Sequence, residues 1–223
     1  MTTASVDLTG WIIDDNNGEF ELSGTGVGIG SGHIQITGSC LNNVHPGDLI
    51  VIYNNGDKNT NMPADDPTDS NADNVYIFPV NHACFERCTT RPSTSSTSYS
   101  CTVPLTAATW DRMSFNNDGD AVQTRHPDGT FFHGFSFGDV DASVVRPTFP
   151  SGDDSFGITS FNDGNEFVAL GCGNGAWESA ANYSVGTDAS NDTPGAANNA
   201  ANSILIEEIK SGGFDYGNFD NPD

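Results

Sequence analysis

Short apolar runs, each closed by glycine, proline, asparagine or aspartate, recur along most of this chain. Leu49–Tyr53 is the clearest example, because it follows Pro46-Gly47-Asp48 and precedes Asn54-Asn55-Gly56. Apolar runs of this length are typical of strands rather than helices, and the flanking residues are those that form turns. The 25 glycines and 11 prolines among 223 residues continue the pattern. The sequence therefore predicts an all-β fold made of many short strands.

The remaining strand predictions rest on the same pattern. Segment 33–37 alternates apolar and polar residues, which predicts a half-buried strand. Further strands are predicted at 11–13, 20–22, 75–78, 121–124, 130–137 and 167–170. Pro127-Asp128-Gly129 predicts a hairpin turn between two of them. The small, polar stretch 178–202 predicts a linker, and the apolar segment 204–209 predicts a last strand.

The net charge of −23, from 30 acidic and 7 basic residues, excludes two classes of partner. Nucleic acids and anionic membrane surfaces both require clustered lysine and arginine. No run of about 20 apolar residues occurs, so we expect no membrane insertion. Bound Ca²⁺, a salty environment and simple solubility remain as three explanations of the acidic surface.

Ca²⁺ is the predicted cofactor, because carboxylate and amide residues cluster in several predicted loops. Ca²⁺ prefers several oxygen ligands in a flexible loop. The candidate ligands are Asp14, Asp15, Asn17, Glu19, Asn116, Asp118, Asp120, Asp163 and Asn165. A further acidic stretch contains Asp65, Asp66, Asp69 and Asp73. None of these loops matches the full EF-hand pattern, and the alternative is that the residues form the turns of a β fold.

The chain has five cysteines, and disulfides are their predicted role. They are Cys40, Cys84, Cys88, Cys101 and Cys172. We expect one pair within the group of Cys84, Cys88 and Cys101, a second between Cys40 and Cys172, and one remaining thiol. The alternative is a zinc site made by His82 with Cys84, Cys88 and Cys101, but zinc thiolate sites usually contain tighter cysteine pairs. Disulfides and two glycosylation sequons, at Asn182 and Asn191, predict an extracellular or cell-surface location.

Three groups of motifs occur in an order that resembles a known family. They are Asp7-Leu8-Thr9-Gly10-Trp11, the acidic-turn and hairpin segment 115–138, and Thr193-Pro194-Gly195. Together they resemble the lamin tail domain family over roughly 5–55 and 110–200. The resemblance implies an immunoglobulin-like β-sandwich, in which about 56–108 is a cysteine-bearing insertion. In that family an apolar strand ending in an acidic residue comes first, whereas here the segment of this type, 204–209, lies near the C-terminus.

This displacement divides the chain into a sandwich at 1–202 and a C-terminal strand with a tail at 203–223. Either the strand folds back in cis, as in a circularly permuted domain, or it adds to the sheet of another copy. An exposed sheet edge favours such strand addition. The residues predicted to bind the partner copy are Ile204, Leu205, Ile206, Ile209, Phe214 and Tyr216.

The predicted function is a non-enzymatic structural subunit of an extracellular filament or surface assembly. Head-to-tail donation need not close into a ring, so it produces filaments. No G-x-S-x-G nucleophile motif is present, and no enzyme activity is predicted. The alternative is a monomeric secreted or surface module that binds a glycan or a protein ligand, for which an exposed aromatic cluster away from the tail would be the sign.

Overall fold

The computed structural model describes residues 4–15, 32–58, 60–88, 101, 103–105, 110–113, 119–138, 155–158, 165–169, 183–187 and 193–212. Within these ranges the chain is mostly strands with one short α-helix, which confirms the predicted all-β class. The strands are β1 (Ile12–Asp15), β2 (Ile34–Ile36), β3 (Leu49–Tyr53), β4 (Val75–Pro79), β5 (Phe85–Glu86), β6 (Gly119–Arg125), β7 (Phe131–Gly138), β8 (Ser155–Ile158), β9 (Asn165–Ala169) and β10 (Tyr183–Thr187). The helix, α1, spans Ala200–Ser211.

Six strands form one sheet in the order β5-β2-β1-β6-β7-β8. Neighbours are antiparallel except β7 and β8, which are parallel. The β6–β7 hairpin turns at Pro127-Asp128-Gly129, as predicted. Gly129 has φ +90°, which favours glycine, and the Asp128 carboxylate accepts hydrogen bonds from the Thr130 N–H at 2.9 Å and hydroxyl at 2.7 Å.

Two smaller sheets complete the described architecture. β3 and β4 are parallel, in a register that runs from Leu49 opposite Val75 to Tyr53 opposite Pro79. β9 and β10 are antiparallel. The sequence pattern predicts no strand at β8 or β10, and β10 lies inside the stretch 178–202, for which the sequence predicts a linker.

The main core lies between the six-stranded sheet and the β3–β4 pair. Its fully or nearly buried members are Ile34, Ile36, Leu41, Val44, Phe78, Val80, Cys84, Phe85, Trp110 and Met113. Phe78 and Phe85 meet edge to face with ring centroids 5.3 Å apart. Several of these residues belong to the segment 56–108, so the predicted insertion supplies part of the core.

The cysteine pairing confirms one part of the prediction, a pair within the group of Cys84, Cys88 and Cys101, and differs in the other. Cys40 is bonded to Cys84 and Cys88 to Cys101, so the predicted Cys40–Cys172 pair is wrong, and Cys172 lies outside the described residues. The reason is the pairing of β2 with β5, which the sequence pattern does not reveal. It brings the turn after β2 against the residue before β5, and the Thr37 N–H donates to the Cys84 carbonyl at 2.7 Å.

The predicted C-terminal strand at 204–209 is also wrong, because this segment is part of α1. Asn199 caps the helix by accepting a hydrogen bond from the Asn202 N–H at 2.9 Å. Gly212, with φ +69°, ends it in the left-handed conformation that glycine favours. The predicted boundary at 202/203 therefore falls inside a helix. No helix within the described ranges is long and apolar enough to cross a membrane.

Candidate functional site

The C-terminal helix contacts strand β9 and the end of the β3–β4 pair, and we call its area of contact with the β3–β4 end the docking surface. It comprises the turn before β3, the first residues of β3 and β4, the turn before α1, and one face of α1. A cleft of about 190 Å³ lies between these parts, and its lining includes Leu49, Asp73, Val75, Ala196, Ile206 and Lys210. The cleft therefore combines apolar residues from the strands and the helix with a charged residue from each side, Asp73 and Lys210.

Gly47 determines how closely the helix approaches. The turn that contains it is closed by a hydrogen bond from the Asp48 N–H to the His45 carbonyl at 3.0 Å. Gly47 has φ +90°, and a Cβ built there would overlap Lys210 Cγ and lie 3.2 Å from the Ile206 carbonyl oxygen. Only a residue without a side chain permits this contact at this backbone conformation.

The turn before the helix makes the second close contact. The Ala196 N–H donates to the Thr193 carbonyl at 2.9 Å, and this turn places Gly195 over β4. Gly195 has φ +82°, and a Cβ at this position would lie 3.1 Å from Val75 Cγ1. The Thr193-Pro194-Gly195 motif of the sequence is thus part of the docking surface.

The helix itself is held at the periphery. None of its twelve residues is buried. The half-buried ones recur at helical spacing on one face, and they are Ala201, Asn202, Leu205, Ile206, Ile209 and Lys210. Ile204 is 54% exposed. Of the predicted partner-binding residues, the structure brings Ile206 into the cleft and places Ile204 in solvent, while Phe214 and Tyr216 lie outside the described residues.

Asp14, a predicted calcium ligand, is instead fully buried in the six-stranded sheet. Its carboxylate accepts a hydrogen bond from the Gln123 amide and lies 3.7 Å from Arg125 Nε. Arg125 also donates from Nη1 to the Gly129 carbonyl at 2.7 Å. Burial lowers the pKa of Arg125, and the negative charge of Asp14 opposes that shift. The group is an internal ion pair that joins β1 to β6 and to the hairpin turn.

The other predicted calcium ligands are not assembled within the described residues. Asp15, Asp120 and Asn165 lie in strands β1, β6 and β9 rather than in loops. Asn17, Glu19, Asn116, Asp118 and Asp163 fall outside the described residues. Calcium binding by these residues stays a prediction.

The acidic stretch 65–74 uses its carboxylates to hold turns. The Asp66 carboxylate accepts from the Ser70 N–H at 2.8 Å, and the Asp69 carboxylate accepts from the Asp73 N–H at 2.9 Å. Three non-glycine residues here, Asp69, Ala72 and Asn74, have positive φ. These contacts match the turn-forming alternative for the acidic residues.

We expect Asp66 to make folding sensitive to acid. Its pKa is lowered from the usual value of 3.8, first by the hydrogen bond from the Ser70 N–H. A carboxylate with a lowered pKa stabilises the fold above its unfolded pKa, and this contribution is lost as pH falls through the folded pKa. Chemical unfolding measured from pH 6 to pH 2 should show a weaker decline for Asp66→Asn than for the wild type. Equal declines would contradict this role of Asp66.

Three aromatic rings form a separate cluster where β1 begins and the β6–β7 hairpin turns. Trp11 lies 4.7 Å from His126 and 5.0 Å from Phe132, measured between ring centroids, and the last two are 5.3 Å apart. All three are partly exposed. None of them belongs to the docking surface. The cluster is the kind of feature expected of a binding module.

One group of potential metal ligands lies beside the first disulfide. Among the described residues, Cys40, His82 and Cys84 are the one set of three His, Cys, Asp or Glu whose ligand atoms lie within 4.8 Å of one another. Cys88, which the zinc alternative places in this group, is bonded to Cys101 instead.

The sequence reasoning missed the two residues that define the docking surface, Gly47 and Lys210. Pro46-Gly47-Asp48 signals a turn, but nothing local shows that the turn receives a helix. Lys210 could have been noticed as one of only two lysines in the chain, at the end of a segment with a capping asparagine and a closing glycine.

Comparison with protein-family models, with curated proteins and with solved structures found no match to this chain.

Proposed function

We propose that the protein is a non-enzymatic subunit of an extracellular assembly, joined to neighbouring copies by exchange of its C-terminal segment. The unit exchanged is 193–212, which contains the turn over β4 and helix α1. The fold proposed for the rest is an immunoglobulin-like sandwich of the lamin tail type. The two disulfides are typical of proteins in oxidising compartments, which fits the extracellular location.

The observation that carries the proposal is the peripheral contact of α1. A helix without a buried residue is held by few apolar contacts, and so it is released at a small cost in free energy. The complementary surface on β3 and β4 is the same in every copy. Exchange of an identical element therefore replaces each contact in cis by the same contact in trans.

A segment of five residues joins strand β10 to the unit that is exchanged, and an exchange has to be spanned by this segment. Strand β10 ends at Thr187 and the docked unit begins at Thr193, with Asp-Ala-Ser-Asn-Asp between them. This composition is typical of connecting segments. Donation from copy to copy is heterologous, so it extends into a filament unless the geometry closes a ring.

Gly47→Ala should abolish self-association, because a Cβ at this position overlaps Lys210 and blocks docking in cis and in trans. Gly38→Ala is the matched control. Gly38 also has positive φ, +65°, but a Cβ there meets nothing within 4 Å. Both variants carry the backbone strain and only one carries the steric block, so their difference in light scattering isolates the docking surface.

We expect assemblies for the wild type and Gly38→Ala, and monomers for Gly47→Ala. Amide hydrogen exchange in α1 should be faster than in the wild type for Gly47→Ala and unchanged for Gly38→Ala. Equal association by the two variants would contradict the proposed role of the docking surface.

A second candidate function is supported by the aromatic cluster of Trp11, His126 and Phe132. Partly exposed rings provide apolar faces for the ring of a sugar, and the net charge of −23 favours neutral over acidic glycans. In this function the protein is a monomeric surface module and the helix stays in cis.

Titration with neutral oligosaccharides, followed by tryptophan fluorescence, tests this second function. We expect a saturable change that Phe132→Ala weakens and that Val103→Ala, at an exposed apolar position outside the cluster, leaves unchanged. A response of equal size in both variants would count against the cluster as the binding site.

A further inference from the structure

We propose that reduction of the Cys40–Cys84 disulfide creates a zinc site whose protein ligands are the two thiolates and His82. The ligand atoms of the three residues already lie within 4.8 Å of one another. In a tetrahedral zinc site with Zn–S and Zn–N bonds of standard length, neighbouring ligand atoms are about 3.5–3.8 Å apart. After the S–S bond opens, the two sulfurs can separate to this distance.

His82 presents a suitable nitrogen. Its Nδ1 accepts a hydrogen bond from the Cys84 N–H at 3.2 Å, so in the neutral ring Nδ1 carries the lone pair and Nε2 the proton. Binding of zinc at Nδ1 replaces this hydrogen bond, because the nitrogen has only one lone pair. An unprotonated imidazole nitrogen is the form that binds zinc. The ring is oriented by Phe78, which it meets edge to face with centroids 5.4 Å apart.

Backbone hydrogen bonds connect the two sides of the group in addition to the disulfide, since the Thr37 N–H, near Cys40 in the chain, donates to the Cys84 carbonyl at 2.7 Å. The His82 N–H donates to the Pro79 carbonyl and the Phe85 N–H to the His82 carbonyl, both at 2.9 Å. On the other side, the Leu8 N–H donates to the carbonyl of Leu41, the neighbour of Cys40, at 2.9 Å. The thiols formed on reduction therefore remain near one another and near the imidazole.

The ligand set fits zinc with one open position. Two thiolates and one imidazole are three protein ligands, and the fourth position of the tetrahedron takes a water molecule. Cys84 is 1% exposed and Cys40 is partly exposed, so the open position faces the Cys40 side. The second disulfide, Cys88–Cys101, has no such histidine in the described part of the chain.

The reaction balances with a dithiol as reductant. The dithiol gives two electrons and two protons to the Cys40–Cys84 bond and becomes a disulfide itself, while two cysteine thiols form. Zn²⁺ then displaces the two thiol protons as it binds. In the reverse direction a small-molecule disulfide accepts both electrons and, with two protons from water, becomes two thiols, while the Cys40–Cys84 bond is restored and the ion is released.

The test uses the full chain with Cys88→Ser, Cys101→Ser and Cys172→Ser, in which Cys40 and Cys84 are the only cysteines left. The protein is reduced with a dithiol, freed of reductant without oxygen, and titrated with Zn²⁺ against a chromophoric chelator. We expect one tight site per chain after reduction and none before. Co²⁺ should give the absorption band of a thiolate complex.

Adding His82→Ala should weaken Zn²⁺ binding by about tenfold or more. Adding His45→Ala, an exposed histidine outside the group, should leave it unchanged. The proposal is overturned if the oxidised and reduced chains bind Zn²⁺ equally, or if His82→Ala binds as tightly as its parent. Loss of near-ultraviolet circular dichroism on reduction that Zn²⁺ does not restore also overturns it.

Discussion

Arg125→Met is expected to lower the free energy of unfolding by about 3–5 kcal/mol, because it leaves the Asp14 carboxylate buried without its counter-ion. Both side chains are 0% exposed. The substitution also removes the hydrogen bond to the Gly129 carbonyl, which fixes the hairpin turn. Denaturant unfolding followed by fluorescence measures the loss.

Two further variants test whether the loss of stability in Arg125→Met comes from the broken ion pair with Asp14. Arg112→Met removes an arginine whose side chain is 73% exposed, and it should change stability by no more than about 0.5 kcal/mol. Asp14→Leu combined with Arg125→Met removes both charges and should recover part of the loss. A single variant at Arg125 as stable as the wild type would contradict the assignment of this ion pair.

Removing the Cys40–Cys84 disulfide is expected to cost about 4 kcal/mol, and removing Cys88–Cys101 about 3 kcal/mol, since the loops they close span 44 and 13 residues. The longer loop has more conformational freedom in the unfolded chain, so its cross-link removes more entropy there. Replacing each pair by alanines and comparing the unfolding midpoints measures the difference.

The close packing around Cys84 should add to the loss of stability that follows removal of the Cys40–Cys84 pair. Cys84 is 1% exposed within the main core, so an alanine there also leaves a small cavity. Equal or greater loss from the Cys88–Cys101 replacement would show that the two cross-links do not act through the loops they close.

Strands and turns could be predicted from the sequence wherever one local sequence pattern favoured a single structure. Leu49–Tyr53 and the β6–β7 hairpin are confirmed, because an apolar run bounded by turn residues and a Pro-Asp-Gly turn leave few alternatives. In the helix at 200–211 the apolar residues 205, 206 and 209 share one face and Ile204 is exposed, whereas the consecutive apolar run 204–206 is also typical of a strand. Its capping residues, Asn199 and Gly212, were the signal that decides between them.

Contacts between distant segments could not be predicted in the same way. The Cys40–Cys84 bond depends on the pairing of β2 with β5, and the burial of Asp14 depends on Arg125, which is over a hundred residues away. An aspartate followed by another aspartate and two asparagines resembles a cation-binding loop, and only the pairing of β1 with β6 shows that Asp14 points to a guanidinium. Such pairings are set by tertiary packing rather than by local pattern.

The exchange of the C-terminal segment can be measured directly through the two lysines of the chain, Lys58 and Lys210. Lys210 and Asp73 line the same cleft, so a carbodiimide that joins amines to carboxylates without a spacer can link them. The full chain is prepared in ¹⁴N and ¹⁵N forms, mixed, allowed to assemble and cross-linked. The account predicts Lys210–Asp73 peptides that combine one ¹⁴N and one ¹⁵N chain. Peptides that always carry a single isotope would contradict it, because they would place the helix on its own chain in every molecule.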